Sequence, residues 1–128
     1  MTVQEMYRKT KAWMFEKPNS NIYDNSIIEI TNKVLAETFN ENNMLRMFKG
    51  YAPFLDGVKA HQLDPNGGLE QEIDYEDEYL YDVIPKGIDA NLLLDDDLSK
   101  MSIYQTEYNN ARVANQVMVP QSVIEQFY

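Results

Sequence analysis

Apolar residues recur at helical spacing in four stretches of this chain, each bounded by residues that start or stop helices. Thr2, with Glu5 three positions on, reads as a capping box, and Val3, Met6, Tyr7, Thr10, Trp13 and Met14 follow the helical period as far as the Lys17-Pro18-Asn19-Ser20 breaker. The spacing predicts a first helix over residues 3–16. A second starts after Asn21 or Asp24, carries Tyr23, Ile27, Ile30, Val34 and Leu35 on one stripe, and runs to Met44 or Met47. Asn40, Asn42 and Asn43 weaken its far end. Tyr79, Leu80, Val83, Ile84, Gly87, Ile88 and Leu92 mark a third helix over residues 75–94, which Pro85 should kink because its ring removes one intrahelical bond. The Asp95-Asp96-Asp97 turn can cap a fourth, with Leu98, Met101, Tyr104, Tyr108 and Ala111 on its apolar face and an end near Asn115.

Between the second and third helices lies a stretch with no sustained period, opened by Lys49-Gly50 and punctuated by Pro53, Gly57, Pro65, Gly67 and Gly68. Compact domains connect helices with about 4 to 6 residues, so a loop over about residues 49–70 is expected to be functional or held by a partner, with room for a short strand or hairpin. After Asn115 the pattern changes again. Val117, Met118, Val119, Pro120, Val123, Ile124, Phe127 and Tyr128 form an apolar tail whose proline excludes a central strand. Such a tail either docks on a partner chain or folds back on the helical core. The reading is all-α: a small four-helix bundle over residues 1–115, with a long central loop and an extended C-terminal tail over residues 116–128.

A length of 128 residues suits one domain, and 44% apolar with 25% charged residues is ordinary for a globular chain. Having no cysteine excludes disulfides, thiolate metal sites and a cysteine nucleophile. Early charges at Glu5, Arg8, Lys9 and Lys11, and the lack of any apolar run near the ~20 residues of a membrane span, predict neither a signal peptide nor a membrane partner. Synthesis in the cytoplasm is the expectation.

Charge divides the chain unevenly. Residues 1–64 hold eight Lys/Arg against eight Asp/Glu, whereas residues 65–128 hold three against thirteen, so the whole net charge of -10 sits in the second half. Glu70, Glu72, Asp74, Glu76, Asp77 and Glu78 form one cluster, and Asp95, Asp96 and Asp97 another. Such a surface repels nucleic-acid phosphates. It reads either as solvated carboxylates that favour helix starts, or as a surface built to avoid or imitate DNA.

Catalytic constellations are sparse. The single histidine, His61, has no Gly-x-Ser-x-Gly elbow to work with. Asp64-Pro65-Asn66-Gly67-Gly68-Leu69 resembles the start of a calcium loop, but Leu69 replaces the turn glycine and Tyr75 the closing glutamate, so it reads as a turn. Nucleotide-binding glycine loops are missing. Asp74, Asp77, Asp95 and Asp96 would hold Mg²⁺ only if the fold brought them together. The residues therefore predict no enzyme, no cofactor and no metal. Tyr75, Tyr79, Tyr81, Tyr104 and Tyr108 fit equally an interface or a bundle core with wet hydroxyls.

The segment from Glu72 to Asp97 couples an acidic entry to the helical step Leu80-Tyr81-Asp82-Val83-Ile84-Pro85-Lys86-Gly87, the leucine-rich turn Leu92-Leu93-Leu94 and an acidic break. Met101, Tyr104 and Tyr108 follow in a last helix. The opening Thr2-Val3-Gln4-Glu5-Met6-Tyr7 and the second-helix segment Leu35-Ala36-Glu37-Thr38-Phe39-Asn40-Glu41-Asn42-Asn43 belong to the same pattern. Over about residues 1–45 and 70–112 the chain resembles the head-tail connector, or adaptor, proteins of tailed bacteriophages. That resemblance implies a non-enzymatic virion subunit of the neck between capsid and tail. Such a subunit forms an oligomeric ring, commonly dodecameric, docks on the portal protein, contacts a tail or neck protein below, and continues the DNA channel without binding DNA specifically.

Within that resemblance, a portal-docking role is expected for Val117, Val119, Pro120, Val123, Ile124, Phe127 and Tyr128. An acidic lumen or interface is expected at Glu70, Glu72, Asp74, Glu76, Asp77, Glu78 and Asp95–Asp97. Loop residues Tyr51, Phe54, Leu55, His61 and Leu63 are expected to reach a neighbouring subunit or the tail. The loop is longer than the family pattern. The alternative from another class is an acidic DNA-mimic inhibitor of a DNA-binding enzyme.

Overall fold

A computed structural model describes residues 1–14, 23–93 and 98–116. The described chain is all-α, with helices α1 (Val3–Trp13), α2 (Ile27–Phe48), α3 (Ile84–Leu92) and α4 (Leu98–Asn115), and one isolated antiparallel bridge between Thr2 and Glu72. The capping box starts α1: Thr2 is extended, and its hydroxyl oxygen accepts the Glu5 N–H at 3.1 Å. The expected continuation of α1 past Met14 lies outside the described residues.

Helix α2 runs one residue past Met47 and stops through the glycine that follows it. Gly50, at φ +91°, donates its N–H to the Met47 carbonyl, and Tyr51 donates to Arg46 at 2.8 Å. This pair of bonds is a Schellman stop, and only glycine enters that backbone region without strain. The buried face of α2 comprises Ile27, Thr31, Val34, Leu35, Thr38, Phe39, Asn42 and Leu45, three or four residues apart or adjacent. Thr31 and Thr38 return their hydroxyls to the carbonyls of Ile27 and Val34, which satisfies them inside the core.

Pro85 acts on the backbone ahead of it. It has no N–H, and its ring would collide with the carbonyl four residues earlier. The helix answers with a wide π-turn, Tyr79–Val83, in which the Ile84 N–H reaches the carbonyl of Tyr79, and regular α3 begins beyond it.

Side-chain contacts fix the topology. Lys33 meets Asn91 at 2.7 Å and Asn42 accepts the Glu76 N–H at 2.8 Å, so α2 runs antiparallel to α3. Asn115 bonds Asp82 at 2.8 Å while Tyr108 packs on Gly87, so α4 is antiparallel to α3 as well. Helices α2 and α4 are therefore parallel, with Tyr108 beside Glu37 and Arg112 beside Glu41. Helix α1 runs with α3, since Lys9 lies over Tyr81 and Lys86 over Trp13. One end of the bundle thus collects the amino terminus, the end of α2, the entry to α3 and the end of α4.

The core is drawn from every element. Val3, Met6, Tyr7, Ile27, Val34, Leu35, Tyr79, Val83, Ile84, Ile88 and Tyr108 are essentially inaccessible. Its tightest crossing is at Gly87, where a Cβ would stand 2.8 Å from the Tyr108 ring and 2.9 Å from Val34 Cγ1.

Two asparagines of α2 fasten the long loop. Asn32 exchanges two hydrogen bonds with the main chain of Leu63, and Asn43 exchanges two with Phe54. They stand eleven residues apart, about three helical turns, and so share one face of α2. Between them the loop makes a 3₁₀ turn, Val58–His61.

Candidate functional site

The loop-bearing end of the bundle holds most of the residues singled out from the sequence. In the acidic segment before α3, side chains alternate between inside and outside: Ile73 and Tyr75 are buried, Glu72 and Asp74 exposed. The outward carboxylates are largely paired. Glu72 takes the N-terminal ammonium at 3.0 Å, Asp74 takes His61 at 2.6 Å, and Glu78 takes Lys49 at 2.6 Å. Glu76, half-buried, faces Arg46 at 3.9 Å. The hydrogen bond with Lys49 holds the Glu78 carboxyl below its ordinary range and lifts the Lys49 ammonium above its own. Glu70 and Asp77 are exposed.

The expected solvated face is therefore, over four of its six residues, a line of ion pairs tying the entry of α3 to α2, the loop and the amino terminus. Asp95, Asp96 and Asp97 lie outside the described residues; α3 ends and α4 begins at the opposite end of the bundle.

His61 is gripped through both ring nitrogens. Its Nε2 lies 2.6 Å from Asp56, its Nδ1 2.6 Å from Asp74, and its ring stacks on Phe54 with centroids 3.7 Å apart. The Arg46 guanidinium lies 4.2 Å from the same Phe54 ring. Burial opposes a charged imidazole here, but the two carboxylates outweigh it and raise the pKa above the ordinary 6.5. His61 in this setting is a clasp between the loop and the acidic segment.

The loop residues expected to reach outward divide into two sets. Tyr51 and Leu55 are exposed, Leu55 at 88%, whereas Leu63 is buried and Phe54 and His61 are half-buried against α2 and Tyr75. The inward set is held by Asn32, Asn43, Asp56 and Asp74.

The end of α2 also exposes Met44, Met47 and Phe48, the last at 73%. These three were missed as site residues, although their positions off the buried stripe of α2 were the available signal. Met44 and Phe48 continue a stripe with Glu37 and Glu41, at steps of four, three and four residues. Helix α4 covers the first half of it: Tyr108 reaches Glu37 at 3.4 Å, Arg112 reaches Glu41 at 3.1 Å, and Gln116 reaches Glu41 at 3.0 Å. The described chain ends there. The docking residues Val117, Val119, Pro120, Val123, Ile124, Phe127 and Tyr128 lie outside the described residues.

Most of the tyrosines belong to the interior. Tyr75 donates to the Leu35 carbonyl at 2.6 Å and Tyr104 to that of Trp13 at 2.8 Å, while Tyr79 and Tyr108 are buried and Tyr81 is exposed. Asp89 on α3 was not singled out from the sequence. It is inaccessible, neither carboxylate oxygen has a hydrogen-bond partner, and burial together with Glu107 on α4 pushes its pKa up to about 9.

At the far end of the bundle a cavity of about 540 Å³ is lined by Trp13, Met14, Leu93, Ile103 and Tyr104, with Lys86 at its wall. Among the described residues no three carboxylate or imidazole groups gather as a metal site; Asp74 is engaged by His61, and Asp95 and Asp96 lie outside that set. No described helix is long and apolar enough to cross a membrane. Comparison with protein-family models, curated proteins and solved structures finds no match to this chain.

Proposed function

We propose that the protein is a non-enzymatic structural subunit of the virion, a head-tail connector that forms a ring, expected to be dodecameric, on the portal of a tailed bacteriophage. The observation that carries this reading is the run of large apolar side chains left exposed over the end of α2 and the start of the loop, Met44, Met47, Phe48, Tyr51 and Leu55, in a chain whose sequence continues past α4 with the apolar residues 117–128. Exposed apolar surface concentrated in one place marks contact with other chains. A ring subunit needs lateral faces for its neighbours and axial faces for the portal and the next neck component.

In this account residues 117–128 dock on the portal by filling a groove or adding an edge strand, a role that Pro120 tolerates. The net charge of -10 keeps the DNA backbone from adhering as it passes. The alternative, a DNA mimic, draws less support, because a phosphate-like array needs free carboxylates and four of the six in residues 70–78 are ion-paired.

Truncation after Gln116 separates the two readings. The connector account expects the truncated protein to fold yet fail to co-sediment with portal rings from the same source. Portal binding undiminished by the truncation, or inhibition of a DNA-binding enzyme retained in place of portal binding, would count against it.

A further inference from the structure

The turn Asp64-Pro65-Asn66-Gly67 has no part in the connector reading, yet its conformation is closely specified. The Gly67 N–H donates to the Asp64 carbonyl at 2.9 Å, and the Asn66 N–H donates to Asp64 Oδ1 at 3.0 Å. Gln71 reaches back across the turn. Its Oε1 accepts the Asp64 N–H at 2.8 Å, and its Nε2 donates to the carbonyls of Asp64 at 3.1 Å and Gly68 at 3.0 Å. A Cβ on residue 67 would stand 2.5 Å from Gln71 Nε2, so this clamp lies close against a residue without a side chain. Asn66 is exposed, and it is the one asparagine of the chain that a glycine follows.

We propose that Asn66-Gly67 is a site of spontaneous deamidation whose rate Gln71 controls. The Gly67 nitrogen, after losing its proton to hydroxide, attacks the side-chain carbonyl carbon of Asn66. The new N–C bond closes a succinimide ring as the bond to the side-chain nitrogen breaks, and ammonia leaves with a proton taken from water. Water then adds to either ring carbonyl and opens the ring to aspartate or isoaspartate. Glycine favours the attack because no side chain crowds the approaching main chain. In the closed turn, however, the Gly67 N–H is committed to the Asp64 carbonyl, the same oxygen that Gln71 holds, so the reaction proceeds through an opened turn. The product adds a negative charge between Asp64 and Glu70, and the iso form adds a methylene to the main chain. Leu69 and Gln71 accept the N–H groups of Gln4 and Val3 at 2.8 and 3.0 Å, so the altered turn borders the start of α1. This inference goes beyond the connector reading and does not depend on it.

Full-length protein incubated at mildly alkaline pH, folded and in denaturant, tests it, with peptide mass spectrometry following conversion at each asparagine. In denaturant Asn66 should react ahead of every other asparagine, and in the folded protein it should react more slowly than in denaturant. Gln71→Ala should speed the folded reaction by roughly fivefold, the rate equivalent of the ~1 kcal/mol net worth of one hydrogen bond. Gln71→Glu keeps the acceptor for the Asp64 N–H but loses both donors; it should also react faster than wild type, and it decides the role of residue 71 if the alanine variant fails to fold. Another asparagine reacting first in denaturant, a folded wild type that reacts as fast as the denatured chain, or folded Gln71 variants no faster than wild type would each overturn the proposal.

Discussion

Asn32 and Leu63 exchange two hydrogen bonds, the side-chain amide donating to the Leu63 carbonyl at 2.9 Å and accepting the Leu63 N–H at 2.7 Å. Asn43 repeats the arrangement with Phe54 three turns along α2. The loop is thus held as though paired with a strand, and the main-chain groups of Leu63 and Phe54 are satisfied. Asn32→Ala should cost about 1–3 kcal/mol, because it leaves both Leu63 groups unpaired, and Asn43→Ala should act similarly. Hydrogen exchange should rise first in residues 51–63 of either variant and leave α3 protected. Uniform loss of protection would instead place these asparagines in the global core.

The His61 clasp predicts a pH dependence of the loop. His61 has a folded pKa above 6.5, so its contribution is fully present below pH 6.5 and is lost as pH rises through the raised value. Protection of residues 54–63 should therefore weaken from mildly acidic to alkaline pH. His61→Gln should remove that dependence, and a wild-type loop that tightens with rising pH would contradict the assignment.

Asp89 adds a second contribution that falls as pH rises, here as a growing penalty for keeping a buried carboxyl protonated. Its pKa rises from 3.8 to about 9 on folding, so the folded state holds a proton that the unfolded state releases. Stability should fall by about 1.4 kcal/mol per pH unit across that window, through this group alone. Asp89→Asn should raise stability at pH 7 and flatten the slope, which denaturant unfolding at pH 5 and pH 8 would measure.

Gly87 is the contact point of α2, α3 and α4. Alanine there would gain up to about 1 kcal/mol of helix propensity but must displace the Tyr108 ring or Val34. The crowding should win, at about 1–3 kcal/mol, with a lower denaturant midpoint. Gly87→Ala with Tyr108→Phe, which keeps the ring, should not rescue it, whereas Gly87→Ala with Val34→Ala should recover part of the loss.

Much of the helical pattern was legible. The Thr2–Glu5 capping box, the stripe of α2 and the Lys49-Gly50 stop appear in the structure where local chemistry dictates. What escaped was whatever depends on residues distant in sequence. Asn42 and Asn43 read as weak helix formers, yet they are the fasteners of Glu76 and Phe54. The carboxylates of residues 72–78 read as a solvated face because Arg46, Lys49 and His61 lie too far along the chain to be assigned to them. Pro85 announced a disturbance, but whether the helix would kink or widen into a π-turn depends on how Tyr79 and Val83 pack. Tail and acidic-turn residues beyond the described regions keep their sequence reading alone.

Electron microscopy of the purified protein mixed with portal rings from the same source tests the central account most directly. A second ring stacked coaxially on the portal, with the loop-bearing end of each subunit making contacts to neighbouring chains, is the predicted result. A protein that stays monomeric and leaves the portal unchanged at concentrations sufficient for assembly would contradict it.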